Sequence, residues 1–439
     1  MKSIHVCAIV CTTVLLLFLT EKETFAFDLQ SEINRAEKGD VISIPSGEYE
    51  GPFTIRKPIT LQGNGDVTLL NKEGKYTLLI DSDHVQVHGL TIEHDHDQLE
   101  LPAVLIKGDD NVVSDVVLST SGMGIVLDKA NENVLRKITI EGAFRDSEFT
   151  GSMLTREGNG IDLFQSHANL IEDITIQYAQ DGIYVEQSED NTIRNSHVAH
   201  SRYGFHFMFT KRTNVIDNLS EQNITGAMVM GTIGTHLENN RFRKQSFHVH
   251  SQGLMLYDVH DATVKNNVLE ENLIGLFIES STNNRIEGNQ VFANYIGLDV
   301  LRSERNAISQ NDFMNNQISA RAKDSKDNHV MHNYWDDHYG LDVTGEKISA
   351  IPYDADLLFS SLIANKPAYQ IFADSPGLFF LQFVLDTDRD KTLSDEAPLM
   401  EASKLPKVIH SERKTVDVIV YSLAILMSSL IIYVGGRKT

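Results

Sequence analysis

Cysteine is almost absent from this 439-residue chain, whose two copies, Cys7 and Cys11, both lie near its start. Lys2, the apolar run from Val6 to Leu19 and the small-x-small sequence Thr24-Phe25-Ala26 predict a secretory signal peptide over residues 1–26. Its removal would leave a mature chain without cysteine, which excludes disulfides and thiolate metal sites. An uncleaved anchor is the alternative interpretation of this short apolar run.

Basic residues are also scarce: 38 Lys and Arg stand against 61 Asp and Glu, a formal net charge of −23 at pH 7. Proteins that bind nucleic acids need basic stripes to neutralise phosphates, so this function is excluded. Polyanionic sugars are disfavoured as substrates for the same reason.

Long apolar runs are confined to the two ends of the chain. Near the C-terminus, Val418 to Val434 is an uncharged run of 17 residues between Arg413-Lys414 and Arg437-Lys438, about the minimum for a membrane-spanning helix. We therefore predict an exported β-helix ectodomain over residues 27–350 and a helical or extended stalk over 351–415. A transmembrane helix over 416–434 and a cytoplasmic tail over 435–439 follow.

Helical periodicity is missing from the middle of the chain, where asparagine and glycine instead recur mostly every 22 residues. The asparagines are Asn111, Asn133, Asn169, Asn191, Asn214, Asn284, Asn306 and Asn328, with weaker copies at His236 and Ala262. The glycines are Gly124, Gly160, Gly182, Gly204, Gly226, Gly253, Gly275 and Gly297. Short alternating strands between them predict an all-β, right-handed parallel β-helix with an asparagine ladder.

The glycine register predicts which side chains point outward. Residues one and three after each glycine are apolar and therefore interior, so residues two and four face solvent. Three successive coils then place five soft donors on one outer sheet face: His206, Met208, Met228, Met230 and Met255. Equivalent residues of successive coils lie about 4.8 Å apart, near enough to share one ion.

Thioethers and imidazoles without thiolates select Cu(I) over hard cations. These five residues, with His248 and His250 from the insertion before Met255, are our predicted copper site. Two alternatives stay open, because exposed methionines also form adaptable docking faces or a covered structural stripe.

Other clusters carry weaker predictions. His94 and His96 suit a solvated loop better than a metal site, and residues 386–390 only partly resemble a calcium loop. The outward carboxylates Asp162, Glu186, Glu279 and Asp299 are interpreted as rim charges, although acid/base or calcium-assisted sugar chemistry is the alternative.

The segments YGFHFMF and NYWDDHYGLD, with the Met-rich strand GAMVM between them, resemble the NosD family over about residues 28–380. The resemblance implies a β-helix that works in nitrous oxide reductase maturation. Its implied partners are an ABC transporter (a permease and an ATPase), a copper-chaperone lipoprotein and the apo-reductase, and its implied cargo is copper. LDVTGEKISA replaces the family's Asp/Gly-rich loop, which puts a cation-stabilised cap in doubt.

These observations favour a membrane-tethered, extracytoplasmic assembly factor that is not an enzyme and has no catalytic residues. Its metal would be transient Cu(I). Two rival hypotheses remain: a secreted β-helix polysaccharide lyase, hydrolase or epimerase, and a scaffold without a metal of its own.

Overall fold

The computed structural model describes residues 27–72, 74–95, 100–142, 158–245, 248, 251–355 and 393–403. They form an all-β, right-handed parallel solenoid of about 12 turns with one short helix, α1 (Leu29–Arg35). This confirms the predicted all-β, right-handed parallel β-helix. Within these residues, no helix is long and apolar enough to cross a membrane. The predicted signal peptide, the transmembrane helix, the tail and residues 386–390 lie outside the described residues.

One side of the solenoid is a 12-stranded parallel sheet with one strand from each coil. Its strands are β2 (Phe53–Ile55), β4 (Leu78–Ile80), β6 (Pro102–Ile106), β8 (Met123–Asp128), β10 (Ile161–Phe164), β12 (Asp181–Glu186), β15 (Tyr203–Met208), β18 (Thr225–Met230), β21 (Gln252–Tyr257), β24 (Ile274–Glu279), β27 (Ile296–Leu301) and β30 (Ile318–Lys323). We call it the long-strand sheet.

The remaining sides belong to a 20-stranded sheet, in which early coils contribute one bent strand each and later coils two short ones. The single strands are β1 (Val41–Glu50), β3 (Thr60–Asn71), β5 (Gln86–His94), β7 (Val112–Thr120), β9 (Val134–Gly142) and β11 (Leu170–Gln177). The short strands are β13 (Thr192–Arg194), β14 (His197–Ala199), β16 (Asn214–Ile216), β17 (Leu219–Glu221), β19 (His236–Glu238), β20 (Arg241–Arg243), β22 (Thr263–Lys265), β23 (Val268–Glu270), β25 (Arg285–Glu287), β26 (Gln290–Phe292), β28 (Ala307–Ser309), β29 (Asp312–Met314), β31 (His329–Met331) and β32 (Tyr334–Trp335).

The interior is a column of apolar side chains, as the glycine register predicts. The residues one and three places after each recurring glycine are all fully buried. They lie in β8, β10, β12, β15, β18, β21, β24 and β27. Gly226 shows why glycine recurs: an added Cβ would lie 2.4 Å from the carbonyl oxygen of Gly253 in the next coil. The coils therefore stack closely enough to fix the register of every strand in the long-strand sheet.

Asparagine ladders run along the turns, which confirms the predicted ladder. The backbone N–H of Asn284 donates to Oδ1 of Asn306 (3.0 Å), and that of Asn306 donates to Asn328 in the same way. Two of the predicted positions are wrong, however. Asn214 and His236 are the first residues of β16 and β19, and the ladder position is taken by the buried Thr213 and Thr235 that precede them.

Two further ladders were not predicted from the sequence. One joins Asn218, Asn240, Asn267, Asn289, Asn311 and Asn333, and the other joins Asn223, Gln245, Asn272, Asn294 and Asn316. All members except the half-buried Asn316 are buried, and their side-chain amides accept from the backbone N–H of the preceding coil and donate to one of its carbonyls. Each ladder thus satisfies buried polar backbone groups that the turns would otherwise leave unpaired.

Both ends of the solenoid are covered by residues outside the repeats. At the first coil, the Gln30 side chain of α1 accepts from the N–H of Thr54 (2.8 Å) and donates to its carbonyl (3.1 Å). At the last coil, the buried carboxylate of Asp395 ends the longest ladder: its Oδ2 accepts from the N–H (2.9 Å) and the Nδ2 (3.0 Å) of Asn333 and from Nε1 of Trp335 (3.1 Å).

The described part of the predicted stalk differs from expectation. Residues 393–401 return to the last coil instead of leading away from it, and β33 (Tyr353–Asp354) pairs antiparallel with β34 (Ser394–Asp395). The Trp335 ring is stacked between Phe313 and Tyr353, with centroids 4.2 Å apart on each side. This segment is thus part of the end of the solenoid.

Candidate functional site: a methionine and histidine surface

The five predicted soft donors lie on three neighbouring strands of the long-strand sheet. His206 is paired with Met228, which is paired with Met255, and in the adjacent column Met208 is paired with Met230. Neighbouring parallel strands are about 4.8 Å apart. The structure thus brings together the five residues in the predicted arrangement, which we call the Met/His surface.

Local sequence explains this orientation. In β15 the flanking Phe205 and Phe207 are fully buried in the interior, so the period-2 alternation of a strand places His206 and Met208 on the outer side. The four methionines of the surface are half-buried, whereas Tyr257 at its edge is exposed. Their sulfur-bearing side chains are thus packed against neighbours while remaining open to an incoming ligand.

His206 differs from the expectation that it faces solvent, because it is 7 % exposed. The rings of Tyr184 and Tyr203 cover it, each with its centroid 4.9 Å from the imidazole. Nδ1 of His206 lies 2.7 Å from Oδ2 of Asp181, which fixes the orientation of the ring. With Nδ1 held by a carboxylate, Nε2 is the nitrogen that remains for a ligand.

Asp181 is the main residue of the candidate site that the sequence analysis missed. Its buried carboxylate also accepts two hydrogen bonds from Arg202, from Nε and Nη2, at 2.8 Å each. Burial alone would raise the pKa of Asp181, but the hydrogen bonds from His206 and Arg202 outweigh it and lower the pKa. Asp181 is therefore a fixed negative charge. The only sequence signal was its place directly before the recurring Gly182.

Tyr184 links the Met/His surface to the preceding coil. Its hydroxyl lies 2.9 Å from Oε2 of Glu186 and 3.3 Å from Sδ of Met208. Burial and the hydrogen bond to Glu186 raise the pKa of Tyr184, so the hydroxyl stays protonated and acts as a donor. This contact holds the Met208 thioether in place beside a carboxylate.

Charged pairs border the Met/His surface on its other side. Beyond Met255 the same column continues with Phe277 and then Asp299, which is buried and paired with Arg321 (2.5 Å). Glu279 is paired with Arg302. Glu279 and Asp299 are therefore neutralised by arginines, and the soft donors end at β21.

Asp162, two coils before His206, is buried and accepts a hydrogen bond from Nδ2 of Asn159 (2.9 Å). Burial raises its pKa to about 6; the hydrogen bond from Asn159 opposes this shift, and the nearby charges of Glu186 and Asp181 add to it. Asp162 was expected to be an exposed rim charge. It is instead a buried carboxyl group.

This position makes the stability of the fold depend on pH. A raised pKa means that the folded chain resists ionisation of Asp162, so the wild type loses stability as pH rises from about 4 to above 6. Over this pH range, the free energy of unfolding of Asp162→Asn should rise by about 3 kcal/mol relative to that of wild type. A shift of two pKa units corresponds to about that free energy. Urea unfolding at about pH 4 and pH 8 measures the gain. Asp173→Asn, at an exposed turn, is the control, and a gain independent of pH would contradict the prediction.

The remaining predicted ligands are only partly described. His248 lies before β21, and its backbone N–H donates to Oγ of Ser251 (3.0 Å), while His250 lies outside the described residues. His94, which was expected in a solvated loop, is instead buried at the end of β5 with Nδ1 3.0 Å from the hydroxyl of Thr77, and His96 lies outside the described residues. Within the part of the chain that the structure describes, no three His, Cys, Asp or Glu side chains converge to hold a metal ion.

The fold and this surface define a class of protein: a right-handed β-helix that presents thioethers and one oriented imidazole on stacked strands. A family model described as "Periplasmic copper-binding protein (NosD)" matches residues 143–353, a range that contains the whole surface. The "Probable ABC transporter binding protein NosD" of Stutzerimonas stutzeri is 26% identical over 405 residues, covering 83% of this chain and 86% of that protein. Together these two matches support assignment of the chain to the NosD family.

Solved structures with similar folds are carbohydrate-active enzymes. The complex of alginate lyase AlyF-OU02 with G6 has a TM-score of 0.50 at 11% identity, covering 69% of this chain and 81% of that one. The Yersinia enterocolitica family 28 exopolygalacturonase has a TM-score of 0.49 at 9% identity, covering 68% and 74%. At these identities the likeness shows the β-helix fold alone.

Proposed function

We propose that this protein is an extracytoplasmic accessory factor that binds Cu(I) on the Met/His surface and passes it to apo-nitrous oxide reductase. The family description and the transporter-related name of the Stutzerimonas protein support this assignment. Its proposed partners are an ABC transporter permease with its ATPase, a copper-chaperone lipoprotein and the reductase. The chain would be held at the membrane by residues 416–434.

The observation that carries the proposal is the hydrogen bond that Asp181 accepts from Nδ1 of His206, beside a row of thioethers. Metal-binding histidines almost always have their second ring nitrogen bonded to a carboxylate or carbonyl, which fixes the tautomer and makes the ligand nitrogen more basic. Here Asp181 holds Nδ1, and Met228 is the next residue in the same column. Nε2 of His206 and the neighbouring thioethers are then a donor set that prefers Cu(I).

Neutral ligands on an open sheet suit a cargo that must be released. Thioethers and imidazole hold Cu(I) without the negative charge of thiolates, and the four half-buried methionines leave one side of the ion open to a partner's ligands. Transfer by ligand exchange at this surface therefore needs no opening of the β-helix.

Aromatic residues beside the Met/His surface support docking of a partner there. Phe209, directly after Met208, is 54 % exposed. Its ring lies over Gly231, where an added Cβ would come 2.8 Å from Cδ1. Tyr257 is also exposed at the end of the second column. Exposed aromatic rings are the residues that most often anchor protein interfaces.

The experiment is a Cu(I) titration of the full chain against a competing chelator, comparing wild type with Asp181→Asn. Loss of a hydrogen-bonded partner behind a metal ligand typically weakens affinity by about 10–100-fold, and we expect that loss here. X-ray absorption at the copper K-edge should show imidazole and thioether ligands in wild type, with the imidazole contribution reduced in the variant.

Asp190→Asn is the matched control, because Asp190 forms a similar two-bond pair with Arg212 but, among the described residues, is not hydrogen-bonded to a histidine. It should bind Cu(I) like wild type. Equal affinities in the two variants, or a copper spectrum without imidazole, would contradict the proposed site. Release of sugars from alginate or pectin by the wild-type protein would favour the enzyme alternative instead.

A further inference from the structure

The loop of residues 336–351, between β32 and β33 at the last coil, exposes apolar side chains. Tyr339 is 81 %, Leu341 54 %, Val343 70 % and Ile351 45 % exposed. We call residues 336–351 the distal loop. Four large apolar residues exposed on one loop are unusual, because single exposed apolar residues are common but groups of them mark interaction sites.

The distal loop directs the side chain of Asp342 to its own backbone, while Tyr339, Leu341 and Val343 are exposed. Tyr339, Leu341 and Val343 alternate with Gly340 and Asp342, and the Asp342 carboxylate is directed to the loop's own backbone. It accepts from the N–H groups of Gly345 (2.7 Å), Lys347 (3.0 Å) and Thr344 (3.1 Å), which lower its pKa. These backbone donors are thus satisfied within the loop and need no water, while the charged side chains of Asp336, Asp337 and Glu346 stay exposed.

The loop is bonded to the end of the solenoid at several points. The N–H of Leu341 donates to Oγ of Ser349 (3.1 Å), and the N–H of Ala350 donates to the carbonyl of Leu341 (2.8 Å). Ile348 forms an antiparallel bridge to Leu399, and the N–H of Met400 donates to the carbonyl of Lys347 (2.9 Å). The exposed apolar side chains are thus held outward by a defined backbone.

The short distance in sequence from the last coil to the C-terminal apolar run indicates which surface the distal loop contacts. Glu401 pairs with Lys347 of the distal loop (2.6 Å), and only 16 residues separate Glu401 from Val418, where the apolar run begins. Sixteen residues extend to at most about 55 Å, so the last coil is tethered close to any membrane that this run spans. Tyrosine and aliphatic side chains are the residues that settle at a membrane–water interface.

We propose that the distal loop is a membrane contact, which inserts Tyr339, Leu341 and Val343 into the interfacial region of the lipid bilayer. Lys347 is already paired with Glu401. The contact therefore depends on burial of apolar surface and does not require anionic lipids. It would orient the β-helix with its last coil at the lipid and the Met/His surface on its side. The proposal is independent of copper binding.

The test uses the full chain with Cys7 and Cys11 changed to serine, a spin label on Val343→Cys, and nanodiscs of phosphatidylcholine. Power-saturation electron paramagnetic resonance compares the access of oxygen, which concentrates in lipid, with that of a water-soluble nickel chelate. We expect oxygen access to exceed nickel access at position 343. Val41→Cys is the control, because Val41 is 61 % exposed in β1 near the first coil, and there nickel access should dominate.

Three outcomes would overturn the proposal. Nickel access at 343 as high as at 41 would place the loop in water. Exclusion of both reagents would mean that protein covers the loop, from this chain or from a permease. Failure of the chain to co-purify with nanodiscs would remove the tether on which the argument depends. If Val343→Cys does not fold, a label on Ile351→Cys provides the same comparison.

Discussion

Changing Met208, Met228, Met230 and Met255 together to leucine should abolish tight Cu(I) binding while the protein stays folded. Leucine keeps the volume of methionine, and such exchanges usually cost less than about 1.5 kcal/mol each in stability. It removes, however, every thioether of the Met/His surface, leaving His206 as the single soft donor of the five. A competition titration with a chromophoric Cu(I) chelator measures the loss, and thermal unfolding verifies the fold.

A matched control uses four methionines elsewhere: Met123, Met314, Met331 and Met400 changed to leucine. This variant loses the same number of thioethers, and it should bind Cu(I) as tightly as wild type. Equal weakening in both variants would mean that copper binding is spread over methionines in general. Tight binding that is unchanged in both would place the copper ligands elsewhere in the chain and leave the Met/His surface as a docking face.

Asp395→Ala should lower the free energy of unfolding by about 3–5 kcal/mol, because several buried donors lose one charged acceptor. Both nitrogens of Asn333 and the indole nitrogen of Trp335 would be left without that acceptor next to the last coil. Urea unfolding measures the total effect, and hydrogen exchange should show that protection is lost first in β28, β29, β31 and β32. Each coil is stabilised by its neighbours, so loss begins at the uncovered end.

The control for this prediction is Glu396→Ala, which removes an exposed carboxylate from the adjacent residue. It should change the free energy of unfolding by no more than about 0.5 kcal/mol. A similar small effect for Asp395→Ala would show that the returning segment contributes little to the stability of the β-helix.

The period, the interior and the Met/His surface could be predicted because one steric rule determines them. At Gly226 and its equivalents the next coil's backbone lies too close for a side chain, so glycine marks the same point of every coil. Counting from that point assigns each neighbouring residue to the inside or the outside. The prediction was correct for Phe205, Met228 and Met255 because they lie within five residues of such a glycine.

Exposure could not be predicted in the same way. His206 points outward as expected, yet Tyr184 and Tyr203 cover it, and Asp162 is also buried on the outer side. A strand's alternation states only the direction of a side chain, whereas exposure depends on the size of side chains in adjacent coils. Asp181 was missed for a related reason, since its importance comes from a contact with a residue one coil later.

The ends of the fold were the least predictable part. Asn333 belongs to a regular ladder, but its acceptor, Asp395, lies 62 residues later in a segment without any repeat. Asn214 and His236 were assigned one place too late because threonine replaces asparagine in those coils, and the search followed asparagine alone. Threonine at Thr213 and Thr235 fills the ladder position without a side-chain amide.

The side chains of Gln30 and Asp395 have a consequence for how copies of this protein behave in a crowded solution. A stack of parallel strands presents unpaired N–H and C=O groups at both ends, and such edges are templates on which another chain adds. Gln30 occupies the edge groups of Thr54 at one end, and Asp395 occupies the donors of Asn333 at the other. At these two positions, the ends of the solenoid therefore offer a second molecule no unpaired backbone groups on which to extend the stack.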